Sequence, residues 1–328
     1  MSAADRYVIV GGGAVGGVLA AQLSQAGKDV VLVARGEHGK RIAVDGLRVR
    51  RPGRVDVVEL AVSSGPEDLS LRDGDVLLLA VKAQDAEAAL AAWAWEPVYD
   101  ESGDIVRTAA TTLPVVTFQN GIVTEDLALR RFDRVYGATI AIAASFLTPG
   151  EIVSPSEEPV GLVWLGRHPG GSDGLQAGIV TDLVEAGFAA FSVDDTRAQK
   201  AAKLLGNLAN GLDLLSGPDD LRAEAQARLR DEGTAVLAAA GIALPPGERL
   251  DFHGVDFTVE AVPDHEPGHR STWQSFARGA SSEVDYLNGE IVLLARRYGV
   301  DAPLNQRLQE LLGAAHLAER RTLADLLG

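Results

Sequence analysis

The sequence predicts an α/β fold: a doubly wound parallel sheet in residues 1–193, followed by an all-helical domain in residues 194–328. Two observations lead there. In the first half, short Val/Leu/Ile runs alternate with helical patterns, as expected of buried parallel strands joined by helices. After Asp194, β-branched runs thin out and helical periodicity takes over.

Taken in order, "YVIV" reads as a strand, Ala14–Ala26 as a helix and "VVLVA" as a second strand. "LRVRR" and "VDVVELAV" read as extra strands of an insertion. "DVLLLAV" and "VVTFQN" are further buried strands, with the helical pattern Ala86–Ala94 between them and a polar, irregular excursion at Trp95–Thr112. The second half reads as helical over Thr196–Ala240, then a Pro/Gly/His-rich loop at Val262–Ser271. Helices are expected at Thr272–Arg278, Glu283–Arg297 and Leu304–Leu327.

Composition excludes several function classes. A net charge of −16 argues against a nucleic-acid partner and an anionic membrane surface. The absence of cysteine removes disulfides, thiolate catalysis and cysteine-based zinc sites. No later apolar run approaches the roughly 20 residues of a membrane span. Tyr7–Ala21 imitates a signal-peptide core, but no basic cluster precedes it and its glycines have a meaning of their own. The expectation is a cytoplasmic protein with a small-molecule partner. The apolar faces of the last helices suit a homodimer.

Gly11, Gly13 and Gly16 form a G-x-G-x-x-G between the first strand and the first helix, with Ala14 and Val15 inside it. In a Rossmann-like unit the first glycine permits the tight turn, the second admits a pyrophosphate, and the third lets helix and strand pack closely. The phosphates then face the free N–H groups of the helix N-terminus. The alternative is a glycine-rich turn without a ligand. Arg35 ends the second strand, where an NAD-binding unit would place an acid for the ribose 2′-hydroxyl. A guanidinium there suits a 2′-phosphate, so the cofactor expected is NADPH/NADP+, unless Arg35 is only a surface residue. His38 and Lys40 either add positive charge or are simply solvated.

Lys82 in "AVKAQD" and Asn120 in "TFQNG" follow strand ends, where open α/β sheets bind ligands. Each has an ordinary reading too, as a solvated charge and a turn residue. In "AAKLLGNLANGLDLL", Lys203, Asn207 and Asn210 recur at i, i+4 and i+7, on one face of an α-helix. They form either a site or a solvated stripe. Glu283 precedes a helical pattern with Val284, Leu287, Ile291 and Leu294 on its apolar face, and a capping role would also explain it. His265 and His269 stand four apart near Asp264 and Glu266, but Pro267 breaks the helix such a pairing needs, so no metal is expected.

The ordered set "GGGAVG", Arg35, "VKAQD", "FQNG", "TPGEIV", "KLLGN" and "STWQS…SSEVDYLNG" resembles the ketopantoate reductases over essentially the whole chain. The resemblance implies a Rossmann-like domain, a helical domain, a site in the cleft between them, and NADPH-dependent reduction of a 2-oxo acid, with ketopantoate the first candidate. It implies Lys203 and Glu283 as catalytic residues, with Glu283 also touching the cofactor. Gly11, Gly13, Ala14, Val15, Gly16, Arg35, Lys82, Asn120 and Ala143 would line the cofactor. Asn120, Lys203, Asn207, Asn210 and Ser271 would meet the substrate. Asn210 follows Asn207 by three residues where the family usually has four, and Lys200 and Ser275 also depart from its pattern. The alternatives are a relative reducing another branched 2-oxo acid, or a non-catalytic NADP(H)-binding protein.

Overall fold

Aliphatic runs become the strands of one sheet. In the computed structural model, which describes residues 4–146, 148–265, 283–314 and 321–328, eight strands are hydrogen-bonded side by side. Their spatial order is Ala189–Ser192, Leu162–His168, Val135–Ala141, Val115–Thr117, Asp75–Leu79, Arg6–Val10, Val30–Val33 and Ala61–Ser63. All pairings are parallel except that of Leu162–His168 with Val135–Ala141. Alternate residues of the first strand enter opposite cores: Tyr7 and Ile9 join one, Val8 and Val10 the other, as a period-2 strand buried on both faces requires. At its start the buried Arg6 guanidinium forms a two-pronged pair with Asp75 of the neighbouring strand, at 2.9 and 2.6 Å. With both charges paired and hydrogen-bonded, they can be buried there.

Two expectations about this half need correction. "VDVVELAV" is two strands: Arg54–Val58 sits in a small sheet with Leu47–Arg51 and Glu151–Val153, while Ala61–Ser63 edges the main sheet. Trp95–Thr112 is not irregular. It supplies the strands Pro97–Tyr99 and Ile105–Thr108 and the helical turn Ala109–Thr112. Val98, Ala109 and Ala110 are buried, while Asp100–Asp104 are exposed.

The helical half is organised around one apolar core that includes Leu204, Leu208, Leu229, Val236, Ile291 and Leu308. It is built from the helices Thr196–Asn207, Asp219–Ala239, Asn288–Tyr298, Pro303–Gly313 and Leu323–Leu327. Within the expected helix Leu304–Leu327 the described residues form Pro303–Gly313, which ends at Gly313, and Leu323–Leu327. The pattern at Thr272–Arg278 lies outside the described residues.

The chain divides into two compact units. The first comprises residues up to Gln119, Thr124–Thr196 and the described part of Asp251–Pro267; the second comprises Asn120–Val123, Arg197–Leu250 and the described part of Gly268–Gly328. The returning segment is held on the first unit by aromatic contacts. The Trp164 indole N–H donates to Asp251 O at 2.9 Å, its ring meets Phe252 edge-on at 5.5 Å, and His253 lies 4.3 Å from Phe191. Among the described residues no helix is long and apolar enough to cross a membrane.

Candidate active site

In the first unit the glycine loop has the shape its sequence implies. Gly11 has φ +117°, outside the range open to ordinary side chains, and a Cβ on Gly16 would lie 1.8 Å from Gly11 O. Nothing stands within 4 Å of where a Cβ of Gly13 would be. Gly13 caps the helix Ala14–Gln25 without a side-chain hydrogen bond, leaving the first N–H groups to an external acceptor. An open glycine over an uncapped 12-residue helix fits a pyrophosphate.

Arg35 lies just past the strand Val30–Val33 as the N-cap of the helix Gly36–Asp45. It is exposed and makes no ion pair among the described residues. Lys40 is exposed as well. His38 corrects the expectation of a charged or solvated group. Its buried ring bridges Gly12 O at 2.6 Å and the Gly150 N–H at 2.7 Å. Since Nδ1 accepts, Nε2 carries the proton and donates, so the imidazole is neutral. Burial lowers its pKa further below the usual histidine value, against the Gly12 contact that raises it. The cationic character here rests on Arg35 and Lys40, with His38 as a brace under the loop.

Lys82 is half-buried at the N-cap of the helix Ala83–Ala94. The Gln119 side-chain amide donates to Leu79 O at 2.8 Å and Val81 O at 2.9 Å, pinning the strand ends that precede Lys82 and Asn120. Ala143 is half-buried, two residues beyond the strand Val135–Ala141.

The second unit gathers Asn120, Lys203, Asn207, Asn210 and Glu283. Lys203 is in the last turn of the helix Thr196–Asn207 and is half-buried. Glu283 opens the 3-10 turn Glu283–Tyr286 and is 3% exposed. That burial sets it apart from an ordinary solvated capping residue. Gly121 approaches this turn so closely that a Cβ would lie 2.8 Å from Tyr286 O. Ile122 and Val284 share the core with Leu204 and Leu205, so the Asn120 loop and the Glu283 turn both join the core that packs the lysine helix. The Lys203 ammonium pKa falls from its usual value to about 7. Burial is the main cause, the nearby Lys200 charge adds to it, and Glu283 opposes it. Lys200, missed from the sequence as part of the site, is itself 3% exposed.

The asparagine stripe differs from expectation in an informative way. The α-helix ends at Asn207 and a seven-residue 3-10 helix, Leu208–Leu214, takes over. A 3-10 helix has three residues per turn, so side chains at i and i+3 eclipse. The three-residue spacing of Asn207 and Asn210 therefore keeps one face, with Asn210 at 9% exposure. Asn120 Oδ1 and Asn207 Nδ2 are buried without a hydrogen-bond partner among the described residues. A buried donor and acceptor left open cost free energy unless a ligand or water completes them. Ser271, Ser275 and His269 lie outside the described residues, and the described ones contain no cluster suited to a metal.

Residues 7–170 match the family described as ketopantoate reductase PanE/ApbA, and residues 200–316 match its C-terminal part. The chain belongs to the ketopantoate reductase PanE/ApbA family. These are oxidoreductases, and curated members resemble the chain along its length. A 2-dehydropantoate 2-reductase of Mycobacterium tuberculosis is 30% identical over 330 residues, covering 95% of this chain and 98% of that protein. One from Mesorhizobium japonicum is 29% identical, covering 91% and 93%. Among solved structures, a PanE/ApbA family ketopantoate reductase from Ralstonia eutropha JMP134 superposes with TM-score 0.75 at 25% identity, covering 96% of this chain and 99% of that one. D-mandelate dehydrogenase bound to NADH and anilino(oxo)acetate shares the fold at TM-score 0.73 and 22% identity, covering 98% and 100%. The Rossmann-like unit and helical region of the ketopantoate reductase fold are thus both present.

Proposed function

We propose that the chain is an NADPH-dependent 2-oxo-acid reductase, with 2-dehydropantoate (ketopantoate) reduced to pantoate as its reaction. The observation that carries this reading is the half-buried Lys203, its ammonium pKa brought to about 7, beside the buried carboxylate of Glu283. A lysine near that value gives up a proton readily at neutral pH. When bound, the nicotinamide supplies hydride to the C2 carbonyl carbon. As charge grows on the carbonyl oxygen, the Lys203 ammonium stabilises it and delivers the proton that completes the hydroxyl. Glu283 holds the ammonium in its charged form and orients it. The open amide atoms of Asn120 and Asn207 supply an acceptor and a donor for the substrate's hydroxyl and carboxylate, with Asn210 and Ser271 assigned to the same task by the family resemblance. Gly11, Gly13, Ala14, Val15 and Gly16 would hold the pyrophosphate, and Lys82 and Ala143 the rest of the cofactor.

The test is NADPH oxidation, followed by nicotinamide absorbance, against a panel of 2-oxo acids that includes 2-dehydropantoate and aromatic oxo acids. 2-Dehydropantoate should give the highest kcat/KM. Another acid turned over tenfold better would replace the substrate, and tight NADPH binding without turnover of any acid would remove the enzymatic reading.

Arg35 is assigned to the 2′-phosphate because it is exposed, has no ion-pair partner among the described residues, and stands where an acid would exclude that group. Arg35→Asp is expected to raise KM for NADPH by about 100-fold, roughly 2–3 kcal/mol of lost charge-assisted bonding. KM for NADH should change little. Unchanged preference between the two cofactors would withdraw Arg35 from cofactor selection.

A further inference from the structure

Two asparagines without an assigned role, Asn288 inside "SSEVDYLNG" and Asn305 outside every quoted motif, link the segment after the lysine helix to the segment after the glutamate turn. Asn288 is 2% exposed and Asn305 fully buried. The Asn288 side-chain amide donates to Leu208 O and to Asn305 Oδ1, each at 3.0 Å. Asn305 passes the connection on, donating to Leu229 O at 3.2 Å and to Glu232 Oε2 at 2.9 Å. The Glu232 carboxylate also accepts the backbone N–H groups of Leu304, at 2.9 and 3.1 Å, and Asn305, at 3.0 Å, closing the open start of the helix Pro303–Gly313.

The placement of the first bond is informative. Leu208 begins the 3-10 helix, one residue after Asn207 and five after Lys203. Asn288 begins the helix Asn288–Tyr298, five residues after Glu283. Asparagine is a poor helix former, and a leucine of similar size would bury more apolar area here. A satisfied buried amide does something a leucine cannot, because its bonds accept only one register of the two segments. It meets the lysine segment at the carbonyl where α-helix gives way to 3-10.

We propose that Asn288 is a positioning residue, which sets the Glu283 turn in register with Lys203 by fixing the carbonyl of Leu208. The proposal rests on the assignment of Lys203 and Glu283 to the reaction. Among the described residues, two charged groups act on the Lys203 ammonium: Lys200 from its own helix and Glu283 from the 3-10 turn. Releasing the tie at Leu208 leaves Lys200 where it was and lets Glu283 drift. The influence that favours the ammonium weakens, and Lys203 loses its proton at lower pH.

The experiment follows Lys203 directly. The full-length protein is pulse-acetylated with acetic anhydride across a pH series, and modification of the Lys203 peptide is read by mass spectrometry, with kcat on 2-dehydropantoate measured in parallel. Asn288→Leu introduces no charge; Asn288→Ser, whose vacated space admits water, is used alongside it should the leucine variant fold poorly. In either variant the labelling midpoint should fall by about half a pH unit or more, and kcat should fall about ten- to a hundredfold. KM for NADPH should stay within about twofold of wild type, since the glycine loop is untouched. Glu232→Gln, at the far end of the same network, should lower the melting temperature without moving the midpoint. A midpoint that stays in place in folded Asn288 variants, or moves equally in Glu232→Gln, overturns the proposal. A shifted midpoint with kcat unchanged would leave the register role intact and sink the assignment of Lys203 to the reaction.

Discussion

Lys203→Met is expected to lower kcat about 10³-fold, within the range of losses for a general acid and for a charge-stabilising donor. NADPH affinity should stay near wild type, because the glycine loop and Arg35 supply the proposed contacts to the phosphates. The pH dependence is the sharper readout. Reduction needs the ammonium, so kcat/KM, which reports the free enzyme, should be level below about pH 7 and fall tenfold per unit above it. The reverse oxidation needs the free amine, so its kcat/KM should rise tenfold per unit up to about pH 7 and level off above it. Methionine abolishes this limb. Glu283→Gln removes the group that raises the Lys203 pKa, so the limb should move to lower pH. A limb that survives in Lys203→Met belongs to another group and would end the proton-donor assignment.

Gly16→Ala is expected to be the most damaging change in the first unit. Its methyl would lie 1.8 Å from Gly11 O and 3.2 Å from Ala80 Cβ, contacts no side-chain rotation relieves. Helix and strand must move apart, and overpacking costs ~1–3 kcal/mol even where neighbours can yield. The displaced helix takes its N–H groups away from the pyrophosphate, so NADPH binding measured by calorimetry should weaken about 100-fold or more, with a lower melting temperature. Gly13→Ala meets no atom within 4 Å and should fold normally, which separates the two roles: it reports only on the room left for the phosphates. Equal folding and affinity for Gly16→Ala and wild type would refute the close-packing account.

How much of this was legible in the sequence depended on the range of the interactions involved. The strands and the glycine loop were readable because aliphatic runs and glycine spacing act within a few residues. The place of Arg35 just past a strand was readable because a strand end is a local address. The change to a 3-10 helix at Leu208 was not, since its carbonyl is held by Asn288, 80 residues away. The three-residue step from Asn207 to Asn210 stood out as a departure from the family pattern, and it falls where the helix has three residues per turn. His38 looked like a spare cation or a solvated ring. Its burial depends on Gly12 and Gly150, 26 residues before it and 112 after. The burial of Lys203, which lowers its pKa most, and the charges of the buried Lys200 and Glu283 that modify it are likewise properties of the assembled core.

The aromatic clasp on Asp251–His253 bears on how such a protein can be divided. The nucleotide-binding half is not a portable cassette. A fragment ending at Thr196 would carry the whole main sheet, yet leave the Trp164 indole N–H without its acceptor and the Phe191 ring uncovered. Recombination that exchanged only the helical half would therefore have to bring a compatible returning segment with it.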